Sequence, residues 1–407
     1  MRPRRRLTMS ARDGGILAHG LRRLTSAGAA LAACLSLCLA LTGCAQGAAR
    51  VKSAPSTPTM RPTPTESLAV TSPWRLIFLG AAGQVEMLTP AGQAQPIGSP
   101  LPGMTASTAQ QLQSAGVSSN GHTLAYCDPQ LHIVDLTGAQ PPQTFSGQVF
   151  RGGFCYWSPD GSEVADPPAD IIFDVATHQA TSLGAGWTQG QGALIGLGWL
   201  DNRHLAVETG SDLKPDAVGN GMYPTTVTLN SFDIVTHAMR PIASIHSASL
   251  SDPLFVLSPD GKEALVSNTH VRFLGQPYTP LLDLIDTNTG AVHSLDSALA
   301  TTKGNFSGVY WRPGTQQVVV EQSYETGKSY LMDVAHDTAT VMPFGPETRI
   351  IGWAPDGAYL ALSSTAANAN THATTASALT VSASGQMGVS ALSADSIGMP
   401  LGFVRMS

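Results

Sequence analysis

Charge is scarce in this chain: Asp, Glu, Lys and Arg together make up only 12% of its 407 residues. Aromatic residues reach 6%, and there are five cysteines. So little charge argues against a coiled coil or a helical bundle, whose exposed faces carry many ionic residues. No pair of cysteines has zinc-site spacing, and no His-Glu-x-x-His motif occurs, so no metal ligand set stands out. A Gly-x-Ser-x-Gly elbow and a glycine-rich phosphate loop are also absent. No catalytic, metal or cofactor-binding residues can be nominated from linear motifs, and no cofactor is expected. What the chain does have is 43% hydrophobic residues with 41 Gly and 28 Pro, the composition of a turn-rich β protein. A chain of this length can exceed one small domain, yet an all-β barrel or propeller can use most of it as one.

The basic residues are unevenly placed. Residues 1–43 hold seven Arg and one Asp, so the rest carries 15 basic against 27 acidic residues, a net −12. An acidic body repels phosphate backbones, which excludes nucleic acid as an expected partner. The basic start (Arg2, Arg4, Arg5, Arg6, Arg12, Arg22, Arg23) leads into an uncharged apolar run from Ala27 to Leu41. That run falls short of the roughly 20 residues of a permanent span. It ends in Leu41-Thr42-Gly43-Cys44, which resembles the bacterial lipobox. The resemblance implies that Cys44 takes a diacylglycerol and becomes the first residue of the mature protein. Residues 1–43 are therefore expected to be a lipoprotein signal peptide. Residues 44–73 are rich in Pro, Thr and Ser and read as the lipidated Cys and a disordered tether. The expected place of the protein is the cell envelope, lipid-anchored on the extracytoplasmic face of a membrane.

From Trp74 to the end the sequence repeats itself. One motif is an apolar strand, a tight polar turn and a second apolar strand. It is clearest at Tyr156-Trp-Ser-Pro-Asp-Gly, Val256-Leu-Ser-Pro-Asp-Gly and Gly352-Trp-Ala-Pro-Asp-Gly, with degraded copies at Val117, Trp199 and Trp311. Pro presets φ, Asp bonds back to its own backbone and Gly supplies the positive φ that closes the turn. A second motif follows each copy, a strand ending in Asp before a short turn, at Asp135, Asp174, Asp233, Asp286 and Asp333. Two hairpins in series make a four-stranded blade, and the spacing suits a propeller. The pattern resembles the WD40-like repeats of TolB-like propellers, over roughly residues 74–405. That resemblance implies an all-β β-propeller, and little about function, because such folds serve as binding platforms and as enzymes. Six units are visible. Residues 74–88 resemble the second hairpin of a further blade, and residues 396–405 resemble its inner strand. Pairing these ends closes a ring of seven blades, favoured here over six.

In such a blade the Pro-Asp-Gly and Asp-x-x-Thr turns share one face, while longer connections share the other. The repeated Asp160, Asp260 and Asp356 read as turn-formers. Trp157, Trp199, Trp311 and Trp353 recur at one blade position and read as packing between blades. Candidate binding residues on the long-loop face are Asp212, Lys214, Asp216, Tyr223, Arg272 and Tyr278. Cys127 and Cys155 sit on adjacent blades and either form a disulfide or remain two buried thiols. The expected role is a non-catalytic binding or protein-interaction module, with an envelope or extracellular protein, a peptide or a glycan as partner. The alternative is a propeller enzyme, lactonase- or lyase-like, with a site at the central channel.

Overall fold

Ser-Pro-Asp-Gly turns each fold a hairpin in the same way. In the copy at Ser158, the backbone N–H of Gly161 donates to the Ser158 carbonyl at 2.9 Å. The Ser158 hydroxyl donates to Asp160 at 2.8 Å and accepts from the Glu163 N–H at 2.9 Å. The same Ser–Asp bond recurs at Ser258–Asp260, and Ser118–Asn120 reproduces it with an amide. The second and third strands of blades 1 and 2 are buried on consecutive residues, hence on both faces, and successive hairpins assemble into blades.

The computed structural model describes residues 72–80, 83–102, 104, 115–127, 130–145, 155–167, 170–184, 195–215, 222–246, 254–269, 280–295, 306–322, 328–344, 348–365, 374–382, 385–393 and 397–406. Cys44 and nearly all of the expected leader and tether lie outside them. Every regular element named below is a strand, and the strands form seven antiparallel four-stranded sheets. Blade 1 comprises Ala115–Val117, Thr123–Cys127, Leu131–Asp135 and Gln143–Phe145, and blade 2 Tyr156–Trp157, Glu163–Asp166, Ile171–Asp174 and Gln179–Ser182. Blade 3 comprises Ile195–Trp199, His204–Pro215, Met222–Asp233 and Met239–His246. Blade 4 comprises Leu254–Leu257, Glu263–Thr269, Pro280–Asp286 and Val292–Ser294. Blade 5 is built from Phe306–Trp311, Gln317–Gln322, Ser329–Asp333 and Thr338–Val341. Blade 6 is built from Thr348–Trp353, Leu360–Thr365, Thr374–Val381 and Met387–Ala391.

Blade 7 is made from both ends of the chain. Met399–Arg405 is its inner strand and pairs with Trp74–Leu79, which is followed outward by Val85–Leu88 and Ala94–Pro96. The N-terminal side thus supplies three strands rather than a single hairpin, because Ala94–Pro96 is short, exposed and carries no apolar alternation to read. Closure is reinforced at the edge: the Ser72 hydroxyl donates to Asp356 at 2.7 Å, and the Met406 N–H donates to the Pro73 carbonyl at 2.9 Å. Pairing the two ends gives Trp74–Leu79 a partner strand on each side.

The core is divided among the seven junctions. Each buried apolar cluster draws on two neighbouring blades, for example Leu265 and Leu282 of blade 4 with Val309, Trp311 and Val318 of blade 5. At the seam, Leu76 and Phe78 pack with Tyr359, Ala361 and Phe403. Four junctions also share one polar contact. The indole N–H of Trp157 donates to the Gly116 carbonyl at 2.7 Å, and Trp199 to Tyr156 at 2.9 Å. Trp311 donates to Val256 at 3.1 Å, and Trp353 to Tyr310 at 3.2 Å. In each case a ring on one inner strand bonds the backbone of the inner strand before it, so the recurrent Trp position joins blade to blade.

Candidate functional site

The face of short turns spends its polar groups on itself. Asp233 accepts the backbone N–H groups of Val235 and Thr236 and a forked contact from Arg203, which holds its carboxyl far below the usual carboxylate range. Asp286 accepts from Asn288 and Thr289 at 2.9 Å, and Asp333 from Ala335 and His336. His178 and His237 occupy the fourth position after their Asp, where the chain takes a left-handed φ of 58° and 57°. Gly290 stands at the matching place in blade 4, with φ 73°. A cavity of about 380 Å³ on this face lies between Asp260, Glu263, Gly314 and Gln316. Its acids are already engaged, since Asp260 accepts from Ser258 and contacts Lys262 at 3.0 Å, and the Gln316 amide reaches Glu263 at 3.0 Å.

The opposite face, nearest the ends of the second strands and the starts of the inner strands, is different in character. In blades 3, 5 and 6 the second strand passes from an apolar run to a polar residue as it reaches that face: Glu208, Glu321 and Ser363. Cys127 holds the corresponding place in blade 1, four residues beyond Thr123, and is joined to Cys155 as a disulfide with Cα atoms 6.6 Å apart. This bond staples blade 1 to the residue just before the inner strand of blade 2. Nearby, Asp166 is fully buried. The Tyr156 phenol is pushed up to about 12 by its burial and then by the Asp166 charge.

Blades 5, 6 and 7 bring together the polar groups with most to offer a ligand. Tyr310 donates to Glu321 at 3.4 Å, and its phenol is pushed up to about 12 by burial and by that carboxylate. Burial raises the Glu321 carboxyl, opposed by the Tyr310 bond and by the charge of Arg349. Tyr310 folds over Gly308, where any Cβ would meet its ring at 2.8 Å. Arg349 is the second residue of the inner strand of blade 6 and is exposed. Its side chain lines a cleft of about 720 Å³ between blades 6 and 7. The cleft is walled by Ile350, Ile351, Met399 and Phe403, and by Ser363 and Thr374, with residues 397–402 along one side.

Among the candidates named from sequence, Asp212, Lys214 and Tyr223 lie on strands rather than in an irregular loop. The strands His204–Pro215 and Met222–Asp233 continue their pairing out to Lys214↔Tyr223 and Pro215↔Met222. The fourth strand stops at the pair Thr226↔His246, so beyond Ser211 a two-stranded ribbon extends alone. At about 3.3 Å per residue it projects roughly 15 Å past the sheet. This pairing leaves residues 216–221 between the two strands. Gly, Asp, Lys and Pro have poor strand propensity, and cross-strand pairing overrode it. Asp216, Arg272 and Tyr278 fall outside the described residues. Tyr310, Glu321, Arg349, Ser363 and Thr374 were not named from sequence, although counting from each Trp would have placed Glu321 and Arg349 at strand ends on one face. Among the described residues no group of three His, Cys, Asp or Glu side chains converges on a metal position.

Fold and site together define the chain as a seven-bladed β-propeller with a polar cleft beside its closing seam. No protein-family model matches the chain, and no curated protein matches it. Among solved structures it is similar to an oligogalacturonate lyase from Vibrio parahaemolyticus, at 13% identity over 78% of this chain and 84% of that one, with a TM-score of 0.48. It is also similar to an oligogalacturonate lyase in complex with manganese (12% identity, 77% and 83% covered, TM-score 0.46). Hydrazine synthase from Kuenenia stuttgartiensis is a third such structure (14% identity, 66% and 76% covered, TM-score 0.40). Likeness at this level carries no argument about activity.

Proposed function

We propose that the chain is an exported lipoprotein, held at a membrane through a lipid on Cys44, whose propeller binds a ligand without transforming it. The observation that carries the binding role is the cleft between blades 6 and 7. It is large enough for a small ligand, since such sites run from about 300 to 1,000 Å³, and it combines apolar walls with a few polar groups. The anchor reading rests on the basic start, the apolar run and the Leu-Thr-Gly-Cys sequence. An acidic mature surface fits display outside a membrane rather than adhesion to anionic lipid.

The competing reading is an enzyme. It draws on Glu321, whose carboxyl is raised by burial and hydrogen-bonded to Tyr310, close enough to Arg349 to feel its charge. A carboxyl of that kind suits proton transfer. Two measurements separate these readings. Cys44→Ala should move the protein out of the membrane fraction and block processing; unchanged fractionation would remove the anchor. The purified full chain should leave lactones and uronate oligomers intact, and turnover abolished by Glu321→Gln would establish the enzyme.

A further inference from the structure

The junction between blades 6 and 7, like those entered by Val117 and Leu257, has no indole bridging its inner strands. At the junctions entered by Trp157, Trp199, Trp311 and Trp353, an indole N–H closes onto the preceding inner strand. Blade 7 places Phe403 at that position, and a phenyl ring has no N–H to donate. Phe403 instead forms part of the cleft wall. The inner strands that border the cleft, Thr348–Trp353 and Met399–Arg405, are each at the inner end of their sheet order, paired on one side only.

The charge at the cleft is also unspent. Arg75 donates to the carbonyls of Ser72 and Trp74, Arg203 is forked onto Asp233, and Arg312 donates to Gly357, Gln317 and Val381. Arg349 has no hydrogen-bond or ion-pair partner among the described residues. Glu321 influences it electrostatically, yet no ion pair within 4.0 Å joins them. An exposed guanidinium in an otherwise apolar and hydroxyl-lined cleft favours a carboxylate, which matches its fork of donors. Glu321 close by disfavours a second negative charge on the ligand. Residues 397–402 line one side of the cleft, and Met399–Arg405 is the edge strand of its sheet, so its outer edge carries unpaired backbone groups. That edge presents amide partners that a simple fatty acid would leave unused.

We infer that this cleft receives the C-terminal end of a peptide or protein, with its terminal carboxylate on Arg349 and its last side chain, an apolar one, against Ile351, Met399 and Phe403. The volume holds a few residues. Recognition of a chain terminus together with its backbone is a recurrent mode at exposed strand edges. The inference deepens the binding reading above and rests on it.

The test uses the full-length chain in detergent micelles and fluorescence anisotropy with a fluorescein-labelled peptide, Ala-Ala-Ser-Ala-Ala-Leu, as the free acid and as the C-terminal amide. The free acid should bind at least tenfold more tightly than the amide. Arg349→Gln should weaken the acid by about tenfold, leave the amide unchanged and keep the melting temperature, since Arg349 is exposed. Lys262→Gln on the short-turn face should change neither. Equal binding of acid and amide, or an Arg349→Gln variant that binds the acid normally, overturns the inference while leaving the binding role intact. So does binding of decanoate that no peptide can displace. Failure of every probe combined with substrate turnover would instead overturn the binding reading itself.

Discussion

At the scale of single residues, the recurrent Trp does two jobs with one side chain. Its ring fills the space between blades, and its N–H satisfies a carbonyl on the neighbouring inner strand that would otherwise face an apolar junction. Trp311 is 6% exposed and donates to Val256 at 3.1 Å. Phe at this place keeps most of the apolar area and removes the donor. Leaving a buried carbonyl without its partner costs about 1–3 kcal/mol. Trp311→Phe should therefore lower the unfolding free energy by that amount in chemical denaturation, and a variant as stable as the parent would show that the ring alone matters. The residue scale is also where the sequence was least informative about the cleft. Arg349 is one arginine in an unremarkable stretch, Thr-Arg-Ile-Ile-Gly-Trp. Its importance comes from lacking a partner after folding, which is a property of three blades at once.

At the scale of strands and blades, much was legible. The Ser-Pro-Asp-Gly hairpins, the Asp-ended third strands and the inter-blade Trp all rest on local rules: turn residues that fix φ, side chains that bond their own backbone, and alternation of faces. The turn rules act within a few residues and the Trp recurs once per blade, so both leave a readable trace. The ribbon of blade 3 left none, because Asp212 and Lys214 form strand only through partners across the hairpin such as Tyr223 and Pro224. The outermost strand of blade 7 escaped notice for a related reason, being short and exposed on every residue. The disulfide belongs to this scale as well. Cys127 and Cys155 are 28 residues apart in sequence and tie two blades whose inner strands are brief, with Tyr156–Trp157 the shortest of all. Closing a loop of that size removes unfolded-state entropy worth about 3–4 kcal/mol. Cys127→Ser should lower stability under oxidising conditions by roughly that much, and the parent should lose the same amount on reduction. Equal melting of parent and variant in both conditions would show that blades 1 and 2 hold without the bond.

At the scale of the whole molecule, stability depends on the two ends meeting. The closing strand buries Leu401, Phe403 and Val404, each under 8% exposed, and Ile397 packs just before it. Full burial of such side chains is worth about 1.5–3 kcal/mol each. Four of them approach the 5–15 kcal/mol that separates a typical native protein from its unfolded state. Deleting residues 397–407 should therefore abolish cooperative unfolding and leave a chain that self-associates through the exposed edge of Trp74–Leu79, as seen by size-exclusion chromatography and circular dichroism. A truncated chain that stays monomeric with a sharp transition would mean that the ring tolerates a missing inner strand. The need for a closed ring was legible from the two half-blades at the ends of the sequence, whereas the place where closure leaves a gap was not.

The closing strand also sets how the molecule bears load. Trp74–Leu79 runs between Met399–Arg405 on one side and Val85–Leu88 on the other, entered from the short-turn face at Ser72. Hydrogen bonds in such a ladder lie across the strand direction. A pull on the chain at Ser72, opposed by a ligand gripped at the far face, would strain both ladders in shear, many bonds together, rather than peel them one at a time. The seam that joins the two ends would then resist force best along the axis of Trp74–Leu79.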